Sequence, residues 1–273
     1  MKFGKKSKEN DEMTEQFHRS IRPVDLPWVF ISFREPNANQ NWVRIKQQIP
    51  EARRSHGVVG LDQAHQAAAR LVEESDYFFT LDGDSTVADE WLHRPLSINL
   101  QPNSAWCWRS RNTVNGLVYG NGGVKLWHRR AIAHMQSHQT GVDFCWQPNY
   151  YSLMEIAGET NPGTTERQAF VAGCREGVKL TLKQGLAQTP LQLQMSWNTH
   201  NRSAWLTWCV RGAHHPIHRW APFGARFAAV NWLKDKWPLA AINDWDFLNS
   251  EFDSVCRSLQ AASSTVWFDL TQQ

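Results

Sequence analysis

Two carboxylates separated by one glycine, Asp82-Gly83-Asp84, follow directly on the apolar run Tyr77-Phe78-Phe79-Thr80-Leu81. A strand that ends in such a tight turn can point both acids at one divalent ion, and Gly83 leaves room for a phosphate near the backbone. One or two carboxylates plus phosphate oxygens is the usual setting for magnesium or manganese. On its own the three-residue pattern is weak and also fits a solvated turn or other phosphate chemistries. A phosphotransferase or nuclease, however, would need further carboxylates that the sequence does not identify.

The elements around this turn decide how much it means. Trp28 to Phe33 reads as a strand that runs into Arg34-Glu35-Pro36-Asn37. Asn39 to Gln48 has helical spacing, with Trp42, Ile45 and Ile49 on one face. Val58-Val59 reads as a second short strand, and Leu61 to Glu74 as a helix striped by Ala64, Ala67, Ala68, Leu71 and Val72. Strand, helix, strand, helix, strand predicts an α/β fold with a mostly parallel central sheet flanked by helices. Ligands of such sheets sit at the carboxyl ends of the strands, so Arg34-Glu35, Gly57 and Asp82-Gly83-Asp84 are expected on one rim.

The second half is less regular. Trp106 to Arg109 reads as a strand, and Gly116 to Lys125 as a glycine-rich turn that feeds another. Thr164 to Leu182 reads as a helix capped by Thr164 or Thr165. Ser196 to Phe223 alternates aromatic and polar residues ahead of two helices. Residues 1–18 read as a disordered polar leader, and 19–273 as one domain with a C-terminal acceptor-side region.

Composition excludes some classes. The chain has 273 residues, 41% hydrophobic and 20% charged, as in a globular protein. No apolar run approaches the ~20 residues of a membrane span. Its five cysteines are scattered, with no CxxC pair, which speaks against a disulfide framework or a cysteine zinc site and for a reducing cytoplasm. A net charge of +3 permits an anionic partner but is far below that of a DNA-packaging protein. The fifteen tryptophans offer flat faces for sugars or unstacked bases, although most of them suit a core equally well.

Further motifs sharpen the picture. The run from Phe30 to Trp91, the glycine-rich segment Tyr119 to Leu126, Val142-Asp143-Phe144-Cys145-Trp146 and the helix around Arg167-Gln168-Ala169-Phe170 together resemble the phage glycosyltransferases encoded beside 5-methylpyrimidine dioxygenases. The resemblance spans roughly positions 25 to 225 and implies a GT-A fold. It also implies transfer of a sugar from a UDP-sugar to 5-hydroxymethylcytosine in DNA, with Mn2+ or Mg2+ as cofactor and the phage host's cytoplasm as location. It assigns Asp82 and Asp84 to the metal and diphosphate. The rim loop of Phe33, Arg34, Glu35 and Asn37 would hold the nucleoside, bordered by Gly57 and His65. An acidic residue commonly precedes Glu35-Pro36 in that family; here it is Arg34.

Other residues complete the expected site. Gly120-Asn121-Gly122-Gly123 could bring backbone N–H groups against a sugar or phosphate, with Lys125 countering phosphate charge, or could form a hairpin turn. Asp143, among aromatic neighbours, is the first candidate for the base that takes the acceptor proton, ahead of Glu166 and Asp89. His215 or His218 could complete the ion's coordination. Arg167, Arg175 and Lys179, with nearby tryptophans, could hold DNA phosphates while a base is flipped out, although a protein or carbohydrate acceptor fits as well. A catalytically silent DNA-binding module of the same fold is the rival from another class.

Overall fold

The computed structural model describes residues 21–118, 122–133, 135, 149–183 and 185–270, with side chains to residue 260. The leader 1–18 lies outside them. Strand β1 (Trp28–Ser32), helix α1 (Ala38–Gln48), β2 (Arg53–His56), α2 (Leu61–Arg70) and β3 (Tyr77–Asp82) come first, followed by β4 (Ser85–Val87) and α3 (Asp89–His93). Next are β5 (Ala105–Asn112), β6 (Val124–His128), α4 (Arg129–Ala133) and β7 (Tyr150–Thr160). Helices α5 (Glu166–Lys179), α6 (Pro190–Ser196), α7 (Thr199–Val210), α8 (Trp220–Leu233) and α9 (Trp245–Leu270) complete the order.

The seven strands form one sheet in the order β2-β1-β3-β6-β5-β7-β4. β2, β1 and β3 pair in parallel; β6 runs against β3 and β5, β7 is parallel to β5, and β4 runs against β7. Five strands therefore share one direction and only β4 and β6 oppose it, so the expected α/β fold with a mostly parallel, helix-flanked sheet is observed.

Alternation along the strands builds both faces. Trp28, Phe30, Phe79 and Leu81 pack with Ile45 and Ile49 around α1 on one side. Val29 and Phe78 point the other way, to Ala68, Ala69 and Val72 around α2 and to Ile132 of α4. Trp28 and Phe79 stack at 4.5 Å, which locks β1 to β3 and fixes where both strands end.

Three sequence expectations are corrected. The second strand is Arg53–His56 rather than Val58-Val59, and Val59 is exposed. An edge strand buries only alternate residues, here Ser55, so hydrophobicity did not reveal it. Helix α2 stops at Arg70 instead of Glu74. Ser196 to Phe223 contains a full helix, α7, capped by the Asn198 side chain on Asn201 N.

The C-terminal helices make their own layer. Gly173 and Gly177 of α5 face the Ala221 and Ala225 carbonyls of α8 so closely that a Cβ would stand 2.0 and 2.4 Å from those oxygens. Helix α9 packs Leu248, Phe252 and Val255 into the same cluster as Phe170 and Val178 of α5.

Candidate active site

β1, β2 and β3 are parallel, so their carboxyl ends open on one rim. Gly57, directly after β2, donates its N–H to Ser32 O at the end of β1 (2.9 Å) with φ of +76°, a backbone conformation that favours glycine. Asp82 closes β3, and its own N–H bonds Gly123 O at 3.0 Å. The expected placing of Arg34-Glu35, Gly57 and Asp82-Gly83-Asp84 at neighbouring strand ends is therefore what the topology gives.

The turn is held from several sides. Asn41, on α1, donates to Gly83 O at 3.0 Å, and Asn161 N donates to Asp84 O at 2.8 Å. Glu35 Oε2 accepts Phe33 N at 2.7 Å and lies 2.6 Å from where a Cβ on Gly83 would be. The space that Gly83 leaves is thus taken by the Glu35 carboxylate, not kept for a phosphate. Glycine is needed here because two acidic segments meet.

Lys125 Nζ donates to Asp82 Oδ2 at 2.8 Å, with its side chain only 4% exposed against 39% for Asp82. The expected phosphate counter-charge is therefore committed to a carboxylate in the folded chain. Ser85 Oγ donates to Asp84 Oδ1 at 3.1 Å. Having given its one proton there, Ser85 accepts from Thr160 Oγ1 at 3.0 Å. Asp84 is half-buried, and its carboxyl is pushed up to about 6 by burial first and then by repulsion from Asp82 and Glu35; Ser85 and Lys125 oppose the rise.

His65 lies on α2. It is buried, its Nδ1–H donates to Leu61 O at 2.9 Å, and Trp127 meets it edge-on at 5.2 Å. Burial, then the Lys125 charge, lower its basicity and keep the ring neutral. Its ring is thus buried against Trp127 of β6.

Asn37 already has partners within the chain. Its buried amide donates to Asn161 O at 3.1 Å and accepts from Gln168 Nε2 at 3.5 Å, so it ties the rim loop to the end of β7 and to α5. Arg34, stacked on Phe33 at 4.9 Å, reaches Asp246 at 2.9 Å.

Several expected site residues lie elsewhere or outside the description. Gly120, Asn121 and Asp143 are not among the described residues. Gly122 and Gly123 are required by chain packing, since a Cβ would stand 2.1 Å from Trp108 O and 2.0 Å from Ser85 Oγ respectively. Asp89 pairs at 3.8 Å with His93, and Glu166 is exposed in the first turn of α5.

The distal groups are mostly engaged. His215 stacks on His218 at 4.0 Å, and its Nδ1 accepts from the N–H groups of Ile217 and His218. Among the described residues no three His, Cys, Asp or Glu side chains are grouped to hold a metal ion by themselves, so His215 is not drawn into a set with Asp82 and Asp84. Arg167 donates to Asp253 at 2.6 Å and to Asn249 O, and Arg175 donates to Ile242 O while stacking on Trp245. Both guanidinium groups fasten the C-terminal helices. Lys179 closes α5.

The sequence reading missed Asn41, Ser85, Thr160 and Asn161. Asn37 and Asn41 are one helical turn apart and so share a face, which was a usable signal. Thr160 and Asn161 had none, because β7 carries no apolar alternation.

No protein-family model and no curated protein matches the chain. Among solved structures, a glycosyltransferase involved in the glycosylation of the major capsid of PBCV-1 is similar at 14% identity and a TM-score of 0.33. The match covers 46% of this chain and 81% of that one. A likeness at that level decides nothing about activity. No described helix is long and apolar enough to cross a membrane.

Proposed function

We propose that this chain is a metal-dependent glycosyltransferase of the GT-A type, moving a sugar from a UDP-sugar to the hydroxymethyl group of 5-hydroxymethylcytosine in phage DNA, in the host cytoplasm. One observation carries the donor half: Asp82 and Asp84 leave the end of β3 together on the ligand rim, with the Glu35 carboxylate packed against Gly83 between them. Three carboxylates against one buried ammonium leave a local excess of negative charge that a hard divalent cation suits.

Asp82 and Asp84 would hold Mn2+ or Mg2+, which supplies charge neutralisation of the departing diphosphate. With no third grouped protein ligand among the described residues, the other positions fall to phosphate oxygens and water, the usual habit of these ions. Lys125 fixes Asp82, Asn41 fixes the Gly83 carbonyl, and Glu35 orders the rim loop through Phe33 N. Asp143 is the proposed base that takes the hydroxyl proton.

The acceptor half rests on the sequence resemblance. One observation favours a protein or polysaccharide acceptor instead: Arg167 and Arg175, expected at phosphates, are bound to α9 and its approach. The deciding experiment incubates the protein with Mn2+, a panel of UDP-sugars and duplex DNA carrying 5-hydroxymethylcytosine, followed by mass spectrometry of the nucleosides. A hydroxymethylcytidine heavier by one sugar is expected. Donor hydrolysis without that product would move the proposal to another acceptor, and failure to bind any UDP-sugar would end it.

A further inference from the structure

Between Glu176 and Asp235 the chain carries no acidic residue, although it has 26 in all, while seven lysines and arginines fall in that stretch. Helices α7 and α8 lie within it. On α7, Arg202, Leu206 and Val210 stand four residues apart and form one exposed stripe, with Leu206 49% and Val210 65% exposed. On α8, Arg226, Val230 and the C-cap Lys234 repeat that spacing, with Val230 51% exposed. The two stripes adjoin. Ala204, Trp208 and Cys209 of α7 pack with Ala221 and Ala225 of α8, and the Arg226 charge reaches the Cys209 thiol. Among the described residues none of Arg202, Arg226 and Lys234 is paired with a carboxylate.

From this we infer that α7 and α8 form a docking surface for an anionic lipid bilayer. Leu206, Val210 and Val230 enter the boundary between headgroups and acyl chains, and Arg202, Arg226 and Lys234 meet the lipid phosphates. Charge complementarity selects an anionic partner, because a stretch with bases and no acids gains from a negative surface at every basic residue. The aliphatic side chains select a bilayer over a nucleic acid. They gain free energy on leaving water for acyl chains, whereas a nucleic acid is held by cations on its phosphates and aromatic rings on its bases. The rings that could stack on bases are turned inward: Trp208 is buried, and Trp205 donates its ring N–H to Gly177 O at 3.0 Å. Such docking is peripheral and needs no membrane-spanning helix. It concerns where the chain sits rather than what it transfers, so it is independent of the sugar-transfer reading.

The test sediments the whole chain with vesicles of phosphatidylcholine alone or with about one third phosphatidylserine. The unsubstituted protein should bind the anionic vesicles at least about tenfold more tightly, with a preference that shrinks as salt is raised. Leu206→Ser combined with Val210→Ser, both at exposed positions, should weaken that binding about tenfold. Arg202→Gln combined with Lys234→Gln should weaken it by about as much and reduce the preference for phosphatidylserine. Leu206→Ile combined with Val210→Ile should bind as the parent does. No sedimentation of the unsubstituted protein with the anionic vesicles overturns the inference, and so does binding that the two serines leave unchanged. Unmodified duplex DNA is the competing arm. DNA binding that the two glutamines weaken and the two serines spare, without vesicle binding, assigns the surface to nucleic acid and overturns the inference. A chain that binds no UDP-sugar yet docks on the anionic vesicles in the expected way would lose the transfer reading and keep this one.

Discussion

Lys125 reaches across from β6 to place its ammonium 2.8 Å from Asp82, the last residue of β3, while the hydrogen bond on the Asp84 carboxylate comes from the neutral Ser85 hydroxyl at 3.1 Å. The two acids of one turn are thus unequal. Asp82 has an ammonium partner, and Asp84 carries the cost of burial beside Asp82 and Glu35, with its carboxyl pushed up to about 6.

That inequality predicts how stability depends on pH in metal-free buffer. A carboxyl whose folded value lies above its unfolded value binds more protons when folded. Its stabilising contribution is full below about pH 4 and is lost as pH rises through about 6. Asp84→Asn keeps an acceptor for Ser85 and removes the ionisation. It should be more stable than the parent by about 1–2 kcal/mol at pH 7.5 and nearly equal to it at pH 4. Urea denaturation at the two pH values reads this, and equal stabilities at pH 7.5 would refute the cost of ionising Asp84 in its buried, acid-flanked place.

The same substitution should damage catalysis. Losing one of two ligand oxygens to the ion should lower kcat by about a hundredfold or more, as removal of a major electrostatic group does. A single variant that is both more stable and nearly inactive separates a functional acid from a structural one. Donor turnover by Asp84→Asn at parental rate would instead assign Asp84 to the fold.

Gly83 offers a second check on the rim. A methyl group there would meet Glu35 Oε2 at 2.6 Å, its Cδ at 2.8 Å and Ser32 Cβ at 3.0 Å. Gly83→Ala should cost about 1–3 kcal/mol, as overpacking does. In the Glu35→Ala background the cost should fall by at least about half, because the carboxylate that blocks the methyl is gone. A double-mutant cycle with no coupling would show that Glu35 does not fill that space.

How far the sequence carried depends on what each element buries. Trp28 to Ser32 and Tyr77 to Asp82 lie in the centre of the sheet with apolar residues on both faces, so both strands and the acidic turn after them were readable. β2 and β7 expose much of their length and carry Arg53, Arg54 and Glu155 within the strand, which hides them from hydrophobic patterning. The pairing of Asp82 with Lys125 spans 43 positions and depends on an antiparallel register that no local pattern encodes. Asn161, brought to Asp84 by β4 pairing with β7, was hidden for the same reason.

Gly173 tests the packing of the helical layer. A Cβ there would stand 2.0 Å from the Ala221 carbonyl oxygen and 3.0 Å from its Cα, both main-chain atoms that cannot swing aside. Gly173→Ala should therefore force α5 and α8 apart and cost about 2–4 kcal/mol. Gly116→Ala is the control: its φ is +75° and its nearest neighbour is Arg211 Nη1 at 3.8 Å, so only backbone strain of about 1 kcal/mol is expected. Equal losses from the two would contradict the tight helix crossing.

Arg167 separates a phosphate contact from a helix fastener. Its guanidinium spans Asp253 and Asn249 O and lies 4.8 Å from the centre of the Phe252 ring, so three bonds of different kinds converge on α9. The ion pair is half-exposed and contributes little by itself, while the stem and the stacked face contribute through packing. Arg167→Ala should lower stability by about 1 kcal/mol. If the chain binds hydroxymethylated duplex, the logarithmic salt slope of that binding should stay unchanged, whereas loss of a phosphate contact lowers the slope by about one. A slope reduced by one with stability intact would return Arg167 to the DNA surface and make its contacts with α9 incidental.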